Sequence, residues 1–367
     1  MKNDRRARIR EEANAIFAAF QAAGALPVET DSLLPADVLL DLYGEDIRAR
    51  AFVTHDPLRG EQMLRPDFTV PIVQRHMAEG AEPARYTYNG SVWRKQTGDR
   101  STEYVQVGYE LFDRENPAAA DAEVFALFHD TLAGKGLRVA TGDMGLLRDA
   151  VMALNTTDDR KAALMRHLWR PTRFVDLLER FGGMQDAPEA RTHLLVEVAV
   201  KGLDALLEEA GPQIGLRSEA EVRDRVAMLQ AEKKAPSIAG EEVAMVEEVL
   251  SVSGSSTQAL AAIRDIAAAF PALSASADRI EARLEAVASK GIAAEALPFE
   301  ATFGRTTLEY YDGFVFGFFA EGRPDLPVVA SGGRYDALTA HLGQGRSIAA
   351  VGGVIRPEVL LEAGGWG

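Results

Sequence analysis

Strand signals stand near both ends of this 367-residue chain, and helix signals fill its middle. That order is what most restricts the fold. Segment 84–113 reads as a β-hairpin around Gln96-Thr97-Gly98-Asp99-Arg100, a run of turn formers. From about 118 to 290 the chain is mostly helical, rich in Ala, Leu, Glu and Arg, with breaks near Gly182-Gly183, Gly211-Pro212 and Ser251–Ser256. Strand signals return at 309–319, where Tyr310, Phe314, Phe316 and Phe318 alternate with Tyr311, Gly313, Val315 and Gly317. On the two alternating faces only Asp312 is charged, with Glu309 at the start of the segment, so this strand is expected to be buried and central. A short strand follows Pro327, then Gly332-Gly333, a helix over 335–342, a last strand over Ile348–Ile355, and Pro357 in the first turn of a closing helix. The order predicts an α+β fold, a mixed and mainly antiparallel sheet flanked by helices and interrupted by a helical insertion. The expected divisions are 1–145, 146–294 and 295–367.

The first helix is predicted over 5–23, because Ile9, Ala13, Ile16, Phe17 and Phe20 share one face and Gly24 can stop it. In the second hairpin strand, period 2 puts Val105, Val107, Tyr109 and Leu111 on one face and Tyr104, Gln106, Gly108 and Glu110 on the other. An apolar face packed on a core, backed by a polar face with a glycine gap, is what a ligand platform needs. Gly108 is expected to let a small molecule approach the backbone.

Composition removes several functions. There is no cysteine, which excludes disulfides, thiolate zinc sites and a cysteine nucleophile. The six histidines show no tight ligand spacing, and no metal or cofactor is implied. No apolar run approaches the ~18 residues that span a bilayer. The start is charged and amphipathic, so the expected location is cytoplasmic. A net charge of −15 argues against nucleic acid as a partner.

Recognising a free amino acid takes an acid or amide for its ammonium, a cation for its carboxylate, and groups matched to its side chain. The chain offers Asp67, Thr69, Arg94, Gln106, Glu110, Tyr310 and Tyr311. An acid and a tyrosine hydroxyl can bond the two nitrogens of an imidazole. Singly, each residue has an ordinary structural explanation. Asp67 can stabilise a turn after Pro66, Tyr310-Tyr311 can be core, and Gln106 and Glu110 can be solvated.

Together they resemble the active-site core of the histidyl-tRNA synthetases, a class II family. Leu64-Arg65-Pro66-Asp67-Phe68-Thr69 is similar to that family's Leu-Arg-Pro-Glu-Gly-Thr stretch, with Asp67 for glutamate and Phe68 for glycine. Trp93-Arg94 and Gln106-Val107-Gly108-Tyr109-Glu110 resemble its second class II motif, a Phe-Arg pair and a Gln-x-Gly-x-Glu strand. Thr306-Thr307-Leu308-Glu309-Tyr310-Tyr311 resembles its Arg-Gly-Leu-Asp-Tyr-Tyr stretch, and Gly332-Gly333-Arg334-Tyr335-Asp336 is intact. The resemblance covers roughly 1–145 and 295–365 and implies a class II synthetase-like sheet. It implies histidine contacts from Asp67, Thr69, Arg94, Gln106, Glu110, Tyr310 and Tyr311. Asp67 and Gln106 would hold the ammonium, Arg94 would face the carboxylate, and Glu110 and Tyr311 would read the imidazole.

The departures bear on chemistry. Adenylation needs cations on the ATP phosphates. The arginine opening the histidine-specific stretch is Thr306 here, with Arg305 one residue away and so facing the other way. The motif 3 arginine aligns with Val359, three residues after Arg356, and the acid after the motif 2 arginine is Gln96. The chain ends soon after motif 3, so no anticodon-binding domain is expected.

These departures resemble the regulatory subunits of ATP phosphoribosyltransferase. That resemblance implies a non-catalytic chain that activates a short catalytic subunit and confers inhibition by L-histidine. It also implies a homodimer, through the segment Gly24–Leu34 with Leu26, Val28, Leu33 and Leu34, inside a larger hetero-oligomer. The rivals are a class II synthetase-like ligase that activates an amino acid, for which Arg65 and Arg94 are available, and a tRNA-binding module.

Overall fold

A computed structural model describes residues 2–37, 50–96, 100–212, 214–305 and 310–364. They form two compact units, Met1–Leu146 with Ser251–Gly367, and Leu147–Leu250.

The first unit opens with α1 (Lys2–Ala22), which buries Ala13, Ile16 and Phe20 as its period requires. It ends in a Schellman turn. Gly24 takes φ +92°, its N–H donates to Gln21 O at 2.9 Å, and Ala25 N–H donates to Phe20 O at 3.2 Å. The short strands β1 (Leu26–Pro27), β2 (Leu33–Pro35), β3 (Val53–Asp56) and β4 (Gly60–Leu64) follow, then α2 (Thr69–Glu79). Strands β5 (Ala84–Trp93) and β6 (Glu103–Phe112) form the expected hairpin, paired from Ala84–Phe112 to Trp93–Glu103. The centre of its connection, 97–99, lies outside the described residues. Next come α3 (Pro117–Thr131) and β7 (Leu137–Asp143), and then α4 (Met144–Ala153), which begins in this unit and continues into the second.

The second unit holds α5 (Asp158–Arg166), α6 (Pro171–Phe181), α7 (Glu189–Lys201), α8 (Leu203–Glu209), α9 (Glu219–Lys234) and α10 (Gly240–Ser251). The chain returns to the first unit with β8 (Ser253–Ser255), α11 (Ser256–Ala269), α12 (Ser274–Ser289) and β9 (Pro298–Glu300). It closes with β10 (Phe314–Ala320), β11 (Ala330–Arg334), α13 (Asp336–Leu342), β12 (Ala350–Ile355) and α14 (Pro357–Ala363). Pro357 sits in the first turn of α14, as expected.

The main sheet has nine strands in the order β1-β5-β6-β12-β11-β10-β7-β9-β8. Among the described residues only β1–β5 and β7–β9 pair in parallel, so the mixed, mainly antiparallel sheet is as expected. Strands β2, β4 and β3 form a small separate sheet. One face of the main sheet carries Val107, Tyr109, Leu111, Phe314, Phe316, Phe318, Val351 and Ile355. They pack on Phe20 of α1, on Phe125 and Phe128 of α3, and on Val287 of α12. Gln106 and Glu110 stand on the opposite face, and the core therefore serves as the floor of that face.

Two expectations need correction. The helical insertion, expected over 146–294, forms a compact unit only over Leu147–Leu250. The remaining helices belong to the sheet, because α12 buries Ile280, Arg283 and Val287 and packs on α3. The stretch 118–290 also hides β7, which pairs along its whole length with β10. Its signal was the Gly134-Lys135-Gly136 turn, with φ +73° and +66° at the two glycines.

A buried charge network ties α3, α12, β7 and β11 together. Arg334 Nε and Nη2 donate to Asp121 Oδ1 at 3.0 and 2.6 Å, and Nη2 also donates to Pro117 O at 2.8 Å. Arg283 Nη1 donates to Asp121 Oδ2 at 3.3 Å, and its Nη2 donates to Asp143 Oδ2. All four side chains are buried. Burial on this scale requires such pairing.

Candidate functional site

The chain enters the site just before α2. Asp67 Oδ1 accepts the Val70 N–H at 3.3 Å, so it does stabilise the first helical turn. Its other oxygen lies 3.8 Å from Arg94 Nη2. Arg94 also donates to Pro66 O from Nε at 3.2 Å and from Nη2 at 2.8 Å, which fixes the guanidinium over this turn. A carboxylate and a guanidinium so close form a dipole that matches the ammonium and carboxylate of one amino acid.

The centre of the site is Glu110 on β6. Thr69 Oγ1 donates to its Oε1 at 2.8 Å, Tyr335 O–H to its Oε2 at 2.6 Å, and Tyr88 O–H approaches Oε1 at 3.4 Å. Burial pushes the Glu110 carboxyl up to about 7, against the pull of the Tyr335 and Thr69 hydroxyls and with a further push from Asp67. A carboxyl poised there can share a proton with an imidazole, whose own unperturbed pKa is about 6.5. Tyr310 O–H reaches Thr69 Oγ1 at 3.5 Å, and the Tyr310 and Tyr311 rings meet edge to face at 4.9 Å. The Tyr311 phenol is held neutral, raised by burial and then by Glu110. Gln106 stands four residues before Glu110 on the same strand face, buried, and its Oε1 has no hydrogen-bond partner among the described residues. The structure thus gathers the predicted residues at one place in the first unit, with all but Arg94 buried.

Glycines make room for these groups. A Cβ on Gly352 would fall 1.7 Å from Glu110 Oε2, and one on Gly333 would meet the Tyr311 ring at 2.9 Å. Gly332 and Gly353 point to the core face instead, toward Phe316 and Phe128. The Gly-Gly pair therefore serves core and site at once. Gly108 has a different use from the one expected. Tyr88 pairs directly with it across the hairpin, and a Cβ there would lie 2.0 Å from Tyr88 Cζ. The gap admits a protein side chain, not a ligand.

Tyr88 and Tyr335 are site residues that the sequence reading missed. A large aromatic opposite a glycine in the hairpin register was the signal for Tyr88, and Tyr335 lay inside the Gly-Gly-Arg-Tyr-Asp run. Phe68 stacks on Tyr88 with centroids 4.3 Å apart, and the Arg65 guanidinium covers Phe68 at 3.8 Å. Arg65 is further engaged by Thr30 O at 2.6 Å and Ser91 O at 2.8 Å. It is buried in the wall and does not present a free cation to a phosphate. Val359 is core. Arg356 lies 5.8 Å from the Tyr104 ring, its pKa lowered by burial and, among its neighbours, by Arg94 and Arg100. Thr306–Glu309, on which one departure rests, lie outside the described residues.

This fold and site define a histidyl-tRNA synthetase-like protein. A family model described as histidyl-tRNA synthetase matches residues 1–235 and 223–360. The chain is 31% identical over 354 residues to the ATP phosphoribosyltransferase regulatory subunit of Brucella anthropi, covering 92% of this chain and 93% of that one. It is 32% identical over 367 residues to the one from Mesorhizobium japonicum, covering 94% and 95%. A Bacillus halodurans structure described as an ATP phosphoribosyltransferase regulatory subunit/histidyl-tRNA synthetase superposes with TM-score 0.67 at 23% identity, over 98% of this chain and 79% of that one. The histidyl-tRNA synthetase of Nostoc sp. PCC 7120 gives TM-score 0.63 at 17% identity, over 96% and 70%. The chain belongs to the family of ATP phosphoribosyltransferase regulatory subunits. No helix among the described residues is long and apolar enough to cross a membrane.

Proposed function

We propose that this chain is a cytoplasmic, non-catalytic regulatory subunit that activates a short ATP phosphoribosyltransferase catalytic subunit and lets histidine inhibit the first step of histidine biosynthesis. The observation that carries the reading is the Glu110 clamp, a buried carboxyl near neutrality beside an Asp67–Arg94 pair. Glu110 and Tyr311 read the imidazole, Asp67 and Gln106 hold the ammonium, Arg94 faces the carboxylate, and Thr69 and Tyr310 orient the acid. Inhibition then requires that histidine bind one state of the assembly better than another. Purified chain mixed with its short catalytic partner should support phosphoribosyl transfer from phosphoribosyl pyrophosphate to ATP, and histidine should suppress it. Transfer that ignores the presence of this chain would refute the reading.

A second reading, an amino-acid-activating ligase, draws support from the cations Arg94, Arg100 and Arg356 near Tyr104. Histidine-dependent exchange of pyrophosphate into ATP would favour it.

The self-association surface has two parts. Leu26 and Leu33 are 63% and 46% exposed, whereas Val28 and Leu34 are buried and fill the local core. Leu26 and Leu33 are the residues a twofold contact would cover. Sedimentation of the isolated chain should show a dimer, and Leu26→Glu with Leu33→Glu should return it to monomer. A wild-type monomer at micromolar concentration would remove this interface.

A further inference from the structure

Within the unit Leu147–Leu250 lies a cavity of about 170 Å³ lined by Arg160, Arg166, Arg173, Arg180, Arg191 and Arg225, with only Asp159 and Glu232 as acids. These arginines come from four helices, α5, α6, α7 and α9. Arg173 and Arg180 are seven residues apart and so share one face of α6. In a chain of net charge −15, six arginines lining one cavity are a local inversion of sign.

The two acids of the lining offset them only in part. Glu232 takes Arg191 at 2.8 Å, and Arg160 donates to the carbonyls of Pro236 at 2.6 Å and Glu232 at 3.2 Å. Arg180 lies 5.3 Å from the Phe181 ring and feels the charge of Glu232, but its buried Nε has no hydrogen-bond partner among the described residues. The buried Nε atoms of Arg160, Arg180 and Arg191 and the Nδ1 of His167 have no hydrogen-bond partner among the described residues. Arg160 itself is 7% exposed, so its Nε is an unanswered donor in a nearly closed wall.

We propose that this cavity binds a compact phosphate-bearing anion, of the phosphate or pyrophosphate class. Guanidinium groups match phosphate oxygens in planar, bidentate geometry, and their hydrogen bonds strengthen with charge. The cavity is too small for a drug-sized ligand, which occupies roughly 300–1,000 Å³. Six arginines outnumber the two acids of the lining. Burial and then Arg170, Arg173 and Arg166 lower the His167 pKa, and burial, with Arg191, Arg173 and Arg160, lowers that of Arg180 against the pull of Glu232. An anion in the cavity removes this repulsion.

The test uses the full chain, titrated calorimetrically with inorganic phosphate, sodium pyrophosphate and sodium chloride at constant ionic strength. Saturable binding of phosphate or pyrophosphate but not chloride is expected, and the tighter of the two identifies how many phosphoryl groups the cavity takes. Arg180→Gln and, separately, the exposed-site variant Arg173→Glu should each weaken it by about tenfold or more. The helical circular-dichroism signal and the denaturant midpoint of both variants should match the wild type, which shows that they are folded. Three results would overturn the proposal: no saturable binding at millimolar anion, unchanged affinity in both folded variants, or binding of duplex RNA that pyrophosphate cannot displace.

Discussion

Replacing Glu110 with alanine will weaken histidine binding about ten- to hundredfold, the ~1–3 kcal/mol lost when a buried hydrogen-bonding partner is removed. Tyr311→Phe should act in the same direction. Both variants should still activate the catalytic partner, so the readout is relief of histidine inhibition with transfer activity preserved. Unchanged sensitivity in both would dismiss the site. Glu110→Gln gives a second, independent readout. The folded-state pKa is about 7 against an ordinary value of 4.5. Between those values the folded chain keeps a proton that the unfolded chain has released. Stability therefore falls as pH rises from about 4.5 to about 7 and levels off above, a loss of ~3 kcal/mol. Glutamine does not titrate. Without histidine, the Glu110→Gln chain should be the more stable one above pH 7, with the advantage gone near pH 4.5. Equal pH profiles for the two chains would mean that Glu110 is not protonated in the folded state.

Replacing Arg334 with methionine should cost about 3–5 kcal/mol, because it strips Asp121 of one of its two guanidinium partners inside the core. The drop would be read as a lower denaturant midpoint. Arg323, which pairs with Asp325 at 2.7 Å on the surface, is the control. Its replacement by alanine should leave the midpoint in place, since exposed pairs contribute little. A midpoint unchanged in Arg334→Met would show that the network relaxes around the loss.

The elements that could be read from sequence are those whose period and stop signals agree. Helix α1 buries Ala13, Ile16 and Phe20 on one face and has Gly24 at its end, and in hairpin β5–β6 the apolar Val105, Val107, Tyr109 and Leu111 recur at period 2 after a run of turn formers. Strand β7 was not legible, because Leu137–Asp143 lacks the β-branched density of a typical central strand and owes its burial to β10. The insertion boundary was hidden for a similar reason, since α11 and α12 match their neighbours in composition and differ only in what they pack against. Each candidate binding residue could be named from the motifs, but its partners could not. Tyr335 reaching Glu110, and Tyr88 filling the space over Gly108, depend on register and on strands brought together from distant parts of the chain.

That distance has a consequence for synthesis. Strand β6 closes one edge with β5 almost as soon as it is made, but its other neighbour is β12, which pairs Ala350 with Phe112. At ribosomal speeds of ~5–20 residues per second, the roughly 240 intervening residues take about 12–50 s to emerge. Throughout that interval the strand bearing Glu110 presents an open hydrogen-bonding edge to anything nearby. The face that carries Glu110 is thus finished among the last events of translation. Whatever shields that edge in the meantime, ribosome or chaperone, governs how many chains go on to complete the sheet.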